Sequence, residues 1–152
     1  MFDKKENFDF PDNASFVTRM NVRINDVNYA NHLDYSALLE MVGNARSQFF
    51  RHYGCTEIDI EGVGGIVKKI YVDYLDEASF NDELEFKVFV SDIKGVKANL
   101  LFLITNLKKA KEVARVAMNF VFFDAKKGKL CSAPEKFIHM ANSHQELIEL
   151  RN

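Results

Sequence analysis

One short segment of the sequence brings together acids, an amide and a histidine: Asp26, Asn28, His32 and Asp34. A carboxylate can attack a carbonyl carbon or activate water, and a histidine changes its charge near neutral pH. An amide can hold a carbonyl oxygen or a water molecule, but it cannot serve as a base. These residue types could support nucleophilic attack or general acid–base catalysis, with Asn28, Asp34 and His32 as the main candidates.

Each of these residues also has an ordinary structural role as an alternative. Asn28 and Asp26 are turn residues that often bond to their own backbone. Asp34 suits the positive end of a helix dipole, and His32 suits a packing or hydrogen-bonding position in a loop. Asp26 remains a candidate because it lies two residues before Asn28, so that on an extended segment both side chains point the same way.

A long helix is predicted over residues 33–53, because apolar residues recur there with helical spacing. These residues are Leu38, Met41, Val42, Ala45, Phe49 and Tyr53. Gly54 is expected to end the helix. A polar stripe on the same helix consists of Glu40, Asn44, Ser47 and Arg51. Glu40 is therefore a further candidate acid, with a solvated helix face as its alternative.

The start of this helix is predicted to supply backbone donors. Asn31 is expected to cap the helix, and Asp34 follows it at capping-box spacing. The first N–H groups of a helix lack partners within it and favour negative charge. The backbone around His32, Leu33 and Asp34 is therefore predicted to polarise the carbonyl group of a bound substrate.

Strands are predicted on both sides of the helix. The first covers residues 16–24, and four more cover residues 66–75, 83–90, 99–105 and 113–123. Short turns without intervening helices indicate an antiparallel sheet, and the apolar helix must bury itself against it. The predicted helix and antiparallel sheet together indicate an α+β domain. Because the rest of the sheet needs cover, we expect at least a homodimer.

Composition limits the class of protein. The chain has 152 residues, which predicts a single domain over residues 1–152, with a loose lead-in over 1–14 and a helical tail over 134–152, particularly 144–151. The net charge of −2 gives no basic footprint for nucleic acid. No apolar run is long enough to span a membrane and the N-terminus is charged, so we expect a cytoplasmic protein.

Cofactor chemistry has little support in the sequence. The histidines and the two cysteines, Cys55 and Cys131, do not have the spacing of metal ligands, and both cysteines are expected to be ordinary core residues. Neither a metal nor another cofactor is predicted. Many lysines lie on the predicted strands and turns: Lys68, Lys69, Lys94, Lys97, Lys108, Lys109 and Lys111. They could meet phosphates if some of them converge, and otherwise form a solvated surface.

Three stretches together resemble the acyl-CoA thioesterase family typified by 4-hydroxybenzoyl-CoA thioesterase. They are DVNYANHLDYSAL at 26–38, GNARSQFF at 43–50 and IYVDYLDEASFNDEL at 70–84. The resemblance extends from about residue 16 to residue 134. It implies the hotdog fold, in which a curved antiparallel sheet of about five strands wraps around a long central helix.

The same resemblance implies roles for residues of the loop. Asn28 stands where the family has its catalytic aspartate, whereas His32 matches the motif histidine. Tyr29, Asn31 and Leu33 are expected to contact the substrate. The implied function is hydrolysis of an acyl-CoA or another acyl thioester. The alternatives are a non-catalytic hotdog protein that binds acyl thioesters or serves as an assembly module and, more weakly, a hydratase.

Overall fold

The computed structural model describes residues 9–143, and six strands and two α-helices form its framework. In chain order these elements are β1 Phe16–Asn21, α1 Tyr35–His52, β2 Val63–Tyr74, β3 Glu83–Lys94, β4 Lys97–Asn106, β5 Lys111–Asp124, β6 Lys129–Cys131 and α2 Glu135–Asn142. All six strands belong to one antiparallel sheet with the order β1-β3-β4-β5-β2, and the short β6 pairs with β5. The predicted α+β class is confirmed.

The core lies between α1 and one face of the sheet, which we call the inner face. Alternate residues of a strand point to opposite faces, so each strand sends every second side chain inward. Phe86, Phe102 and Phe122 are fully buried there. The apolar side of α1 supplies residues such as Val42 and Phe49 to the same cluster. The helical periodicity in the sequence therefore identified the face of α1 that packs on the sheet.

The outer face of the sheet carries two neighbouring rows of different chemistry. One row across four strands is apolar, and we call it the apolar row: Tyr71, Ala117, Leu101 and Phe89. It packs against Phe10 and Ala14 from the segment before β1. The next row is the polar row: Lys69, Asn119, Asn99 and Ser91. The two neighbouring rows thus differ in their chemistry and, among the described residues, in their cover.

Two sequence predictions about element ends are wrong. Asp34 rather than Asn31 is the N-cap of α1, because Asp34 is extended and its side chain accepts a hydrogen bond from the Ser36 N–H. The strand predicted to reach residue 24 ends at Asn21, since Ile24–Asp26 forms a 3-10 turn.

The other helix ends agree with the sequence where the structure describes them. Gly54 follows the end of α1 with a φ of 78°, a conformation that glycine adopts at little cost. The predicted helical tail is represented by α2, whereas residues 144–151 lie outside the described residues. Within residues 9–143, no helix is long and apolar enough to cross a membrane.

Candidate active site

The predicted catalytic segment forms a small hairpin just before α1. Its base is an antiparallel bridge between Val27 and Leu33. Within it, the Asn28 N–H donates to the His32 carbonyl at 2.9 Å, and the Asn31 N–H donates to the Asn28 carbonyl at 2.9 Å. Asn31 has a left-handed φ of 63°, which asparagine tolerates better than most residues. The hairpin therefore explains why Asn31 lies in a turn and does not cap α1.

The Asn28 side chain holds this hairpin together. Its Oδ1 accepts hydrogen bonds from the Ala30 N–H at 2.9 Å and from the His32 N–H at 3.3 Å. Because both donors bind the oxygen, the orientation of the amide is fixed and Nδ2 is left as a donor. Tyr29 and Asn31 are exposed at the tip.

A second segment, residues 77–79, anchors the hairpin. The Leu33 N–H donates to the Ala78 carbonyl at 2.7 Å, and His32 forms a bridge with Ser79. The His32 Nε2 lies 3.1 Å from a carboxylate oxygen of Glu77. Sequence reasoning missed Glu77 and Ala78. They fall within the third stretch that resembles the thioesterase family, but spacing along the chain does not show that they meet the hairpin.

The backbone donors that the sequence predicted are already occupied. The N–H groups of His32, Leu33 and Asp34 donate within the protein, the last to the Asp26 carbonyl at 2.8 Å. These residues precede α1, so their amides are not the open end of the helix. This corrects the predicted position of the donors.

The first residue of α1 offers a different donor. Asp34 accepts hydrogen bonds from the backbone of Ser36 and Ala37. Among the described residues, no partner is found for the Tyr35 N–H, whereas the Tyr35 carbonyl accepts a hydrogen bond from the Tyr74 hydroxyl at 3.2 Å. The hydrogen bond from the Ser36 hydroxyl, followed by those from the backbone, lowers the pKa of Asp34 despite partial burial. Asp34 is thus an ionised cap at neutral pH.

Asp26 lies beneath the hairpin and is only 2% exposed. Its carboxylate accepts hydrogen bonds from the Arg23 N–H at 2.8 Å, from Nε at 3.1 Å and from Nη2 at 3.0 Å. The hydrogen bond from the Arg23 side chain is the main cause that lowers the pKa of Asp26, and it outweighs the opposing effect of burial. Asp26 is therefore a buried, ionised anchor for the turn.

Glu40 lines a groove of about 370 Å³ between the end of β1 and the exposed side of α1. The groove is also lined by Met20, Asn21, Arg23, Met41 and Asn44. Bonding to Asp26 and, more weakly, the charge of Glu40 raise the pKa of Arg23. Glu40 thus shares a groove with Arg23, the partner of Asp26, whereas Asn28, His32 and Asp34 belong to the hairpin and its junction with α1.

The other sequence candidates are accounted for by packing. Burial raises the pKa of the Cys55 thiol, which contacts the Phe50 carbonyl and the Met140 sulfur. Phe120 and Phe122 are buried in the core. Arg46, from the second stretch that resembles the thioesterase family, lies 3.0 Å from Glu57. Across residues 9–143, no group of three or more histidine, cysteine or acidic side chains is arranged to hold a metal ion.

A curved antiparallel sheet with one long helix packed on its inner face defines a hotdog-fold protein, and solved structures support this class. A 1,4-dihydroxy-2-naphthoyl-CoA thioesterase from Synechocystis superposes with a TM-score of 0.74 at 15% identity, covering 83% of this chain and 94% of its own. A hypothetical protein from Staphylococcus aureus, solved in complex with CoA, has a TM-score of 0.74 at 13% identity and covers 87% of each chain.

The family follows from the sequence comparison. The family model described as the thioesterase-like superfamily matches residues 22–140, and the chain belongs to this superfamily. No curated protein is similar enough to the chain to count as a match.

Proposed function

We propose that the chain hydrolyses an acyl-CoA or a related acyl thioester at the hairpin before α1. The observation that carries this proposal is a pair of donors there, the Tyr35 N–H and the Asn28 Nδ2, for which no partner is found among the described residues. Membership of the thioesterase-like superfamily supports it, as do the CoA complex and the CoA thioester named for the two similar structures.

The proposed chemistry uses donors for the carbonyl and a base for water. The Tyr35 N–H, at the positive end of α1, and the Asn28 amide stabilise the negative charge that develops on the thioester oxygen. His32 takes a proton from water through Nδ1, because Nε2 faces Glu77. The resulting hydroxide attacks the carbonyl carbon. The C–S bond then breaks, and the thiolate receives the proton from the imidazolium.

The other predicted site residues keep more limited proposed roles. Asp34 caps α1 and orients the donor at its start, and Asp26 anchors the hairpin through Arg23. Tyr29, Asn31 and Leu33 are proposed to contact the substrate from the hairpin. Glu40 is proposed as an alternative acid that acts from its groove.

The test is release of free thiol from a panel of acyl-CoA substrates with aliphatic chains of increasing length and with aromatic groups. We expect hydrolysis of at least one class, and the His32→Gln variant should lose roughly 10²–10⁴-fold in rate. His139→Gln, at an exposed histidine of α2, is the matched control and should keep full activity. The absence of thiol release from every substrate by folded protein would reject the proposal.

A second candidate function is binding of an acyl thioester without hydrolysis. It is favoured by the two hydrogen bonds that occupy the Asn28 oxygen, since they give this side chain a structural task. Asn28→Asp separates the two functions. For the enzyme, a new carboxylate repels the developing negative charge and lowers the rate, whereas for the binding protein it creates hydrolysis. Asn25→Asp, exposed in the preceding turn, controls for the change in charge.

We also propose that the chain forms a homodimer through β2. This strand is an edge of the sheet, and Ile66, Ile70 and Tyr74 are 44%, 46% and 50% exposed along it. An exposed edge with apolar side chains favours pairing with another strand. Analytical ultracentrifugation should show a dimer that Ile70→Lys dissociates, while Ile138→Lys on α2 should not. A monomeric unmodified protein would contradict this.

The single domain over residues 1–152 and the cytoplasmic location remain predictions.

A further inference from the structure

The segment that anchors the hairpin, residues 77–79, is itself held by a buried acid. Asp82 is 4% exposed, and its Oδ2 accepts hydrogen bonds from the Ser79 N–H and from the Asn106 Nδ2, both at 2.9 Å. The Asp82 N–H in turn donates to the Ser79 carbonyl at 3.0 Å. Asp82 therefore bonds both backbone polar groups of Ser79 and fixes the end of residues 77–79, which we call the anchor segment.

Asn106 fixes the orientation of this contact. It is fully buried, and its Oδ1 accepts hydrogen bonds from the Lys108 N–H at 3.0 Å and the Lys109 N–H at 3.3 Å. Because the amide oxygen is occupied in this way, Nδ2 is the end of the side chain that faces Asp82. The Lys109 Nζ also donates to the Glu77 carbonyl at 3.4 Å. The first and last residues of the anchor segment are thus bonded to one network.

The anchor segment determines where two parts of the hairpin lie. Its central residue, Ala78, is 1% exposed, and the Ala78 carbonyl accepts a hydrogen bond from the Leu33 N–H at 2.7 Å. Its first residue, Glu77, has a carboxylate oxygen 3.1 Å from the His32 Nε2. The imidazole and the backbone that follows it are therefore held by a segment whose own position depends on Asp82.

The turn that contains Asp82 is also bonded to the chain before the hairpin. The Asn81 N–H donates to the Val22 carbonyl at 2.8 Å, and the Val22 N–H donates to the Asp82 carbonyl at 2.9 Å. Val22 comes directly after β1 and is 1% exposed. The hairpin is thus connected to this turn on both sides, at Val22 and, through the anchor segment, at Leu33. A displacement of the turn would therefore shift the base of the hairpin.

From these contacts we infer that Asp82 is a positioning residue for His32, an inference that rests on the proposed function. The Asp82 carboxylate holds the anchor segment, and the anchor segment holds the imidazole and the hairpin backbone. A general base must lie within hydrogen-bond distance of the water that it activates, and a displacement of about 1 Å can lower the rate roughly 100-fold. Asp82 thus contributes to the rate although it acts only through neighbouring residues.

The test measures kcat and KM of Asp82 variants of the full chain, with the acyl-CoA that the unmodified protein hydrolyses fastest. Asp82→Ala leaves the Ser79 N–H and the Asn106 Nδ2 without their acceptor. We expect kcat to fall about 10–100-fold with little change in KM, because the base is displaced while the contacts that bind the substrate remain. Asp82→Asn keeps an oxygen that can accept both hydrogen bonds, although without the charge, and should recover most of kcat.

Glu85→Gln is the matched control, because Glu85 is a second buried acid, on β3 itself and 8% exposed. Its carboxylate lies 3.5 Å from Arg19 and 3.9 Å from Lys87 on the outer face. Among residues 9–143, none of its side-chain contacts reaches the anchor segment. This variant should keep the kcat of the unmodified protein.

A second measurement, amide exchange followed by NMR, does not depend on hydrolysis. The Leu33 N–H should exchange with deuterium slowly in the unmodified protein, in Asp82→Asn and in Glu85→Gln, and about tenfold faster or more in Asp82→Ala. The N–H of Phe102, in the core strand β4, should remain protected in all four proteins, which shows that each is folded. If Asp82→Ala does not fold, Lys109→Ala replaces it, since this exposed side chain holds the other end of the anchor segment.

The outcomes separate this inference from the proposed function. A loss of kcat in Asp82→Ala that Asp82→Asn recovers, together with faster exchange at Leu33, supports the positioning role. Equal kcat in Asp82→Ala and Glu85→Gln, or unchanged exchange at Leu33, overturns it. The absence of thiol release by the unmodified protein would reject the proposed function instead, and the exchange at Leu33 would still decide whether Asp82 holds the hairpin.

Discussion

The two faces of the sheet are built from the same strands, yet their side chains pack against different parts of the protein. Neighbouring residues of β4 show this: Phe102 points inward and is fully buried against the main core, whereas Leu101 points outward into a small cluster beneath the segment before β1. Further along the outer face, no such cover lies over the polar row among the described residues. The inner face therefore carries most of the stability, which leaves part of the outer face available for charged residues without a structural task.

The largest expected effect on stability comes from truncating a core side chain on the inner face. Phe102→Ala should lower the free energy of unfolding by about 3–5 kcal/mol, because it removes a large side chain from a close-packed core. Leu101→Ala, one residue away, should cost clearly less, since its cluster is small and can collapse. Urea denaturation followed by circular dichroism measures both values. Equal losses of unfolding free energy in the two variants would show that the two faces do not differ in their contribution to stability.

A buried acid just before β3 tests how a charge is tolerated beside the core. Asp82 is 4% exposed, and it accepts hydrogen bonds from the Ser79 N–H at 2.9 Å and the Asn106 amide at 2.9 Å. Burial raises the pKa of Asp82, but these bonds, aided by Lys108 and Lys109, outweigh it and lower the pKa overall. Asp82→Asn should therefore cost about 1–3 kcal/mol at neutral pH.

The same residue predicts a dependence on pH. A carboxyl group with a lowered pKa in the folded state contributes stability that is complete above its unfolded pKa and is lost as the pH falls through the folded pKa. The unmodified protein should thus lose stability on acidification more steeply than Asp82→Asn does. Identical slopes in denaturation curves recorded from neutral pH down to about pH 3 would contradict the assigned direction.

Removing the cover from the apolar row should have a moderate effect. Phe10 packs edge-to-face on Phe89 with ring centroids 5.0 Å apart, and the Arg115 guanidinium lies 5.6 Å from the Phe10 ring. Phe10→Ala should cost about 1–2 kcal/mol, since an aromatic pair contributes roughly 0.5–1.5 kcal/mol and a cation–π contact roughly 0.5–1 kcal/mol. Increased binding of a hydrophobic dye would show the exposed row, and unchanged stability would show that the cover is unimportant.

The smallest effect is expected at the polar row. Lys97→Ala should change the free energy of unfolding by no more than about 0.5 kcal/mol, because Lys97 is exposed and has no counterion among the described residues. Any gain in stability should be larger at low ionic strength, where repulsion of Lys97 by the neighbouring Lys68 and Lys69 is less screened. A large loss at either salt concentration would mean that Lys97 has a structural task.

The pattern of apolar residues was enough to predict β1 to β5, α1 and the packed side of α1, but not the short β6. It works because burial imposes spacings of 3.6 and 2.0 residues on helices and strands. It did not predict the cap of α1, since both Asn31 and Asp34 suit an N-cap and only the hairpin decides between them. Nor did it show that the strand ends at Asn21, because the 3-10 turn depends on the bond between Arg23 and Asp26.

The candidate site was less accessible to sequence reasoning. The hairpin residues were found because their types suggested chemistry, but the contact of His32 with Glu77 joins segments far apart in the chain. The Tyr35 N–H was missed because Asn31 was expected to cap the helix, which placed the unpartnered donors at His32, Leu33 and Asp34, too early in the chain. The β-bulge at Lys68 in β2 was also not predicted, because no pattern in the sequence distinguishes a bulged strand from a regular one here.

The anchoring of the hairpin sets how fast its amides exchange with solvent. The N–H groups of Leu33 and Asp34 are bonded to the Ala78 and Asp26 carbonyls, so they should exchange their hydrogens for deuterium slowly. Tyr29, at the exposed tip, should exchange quickly. A ligand that binds between this tip and α1 would therefore meet a surface that is mobile at its outer end and rigid at its base.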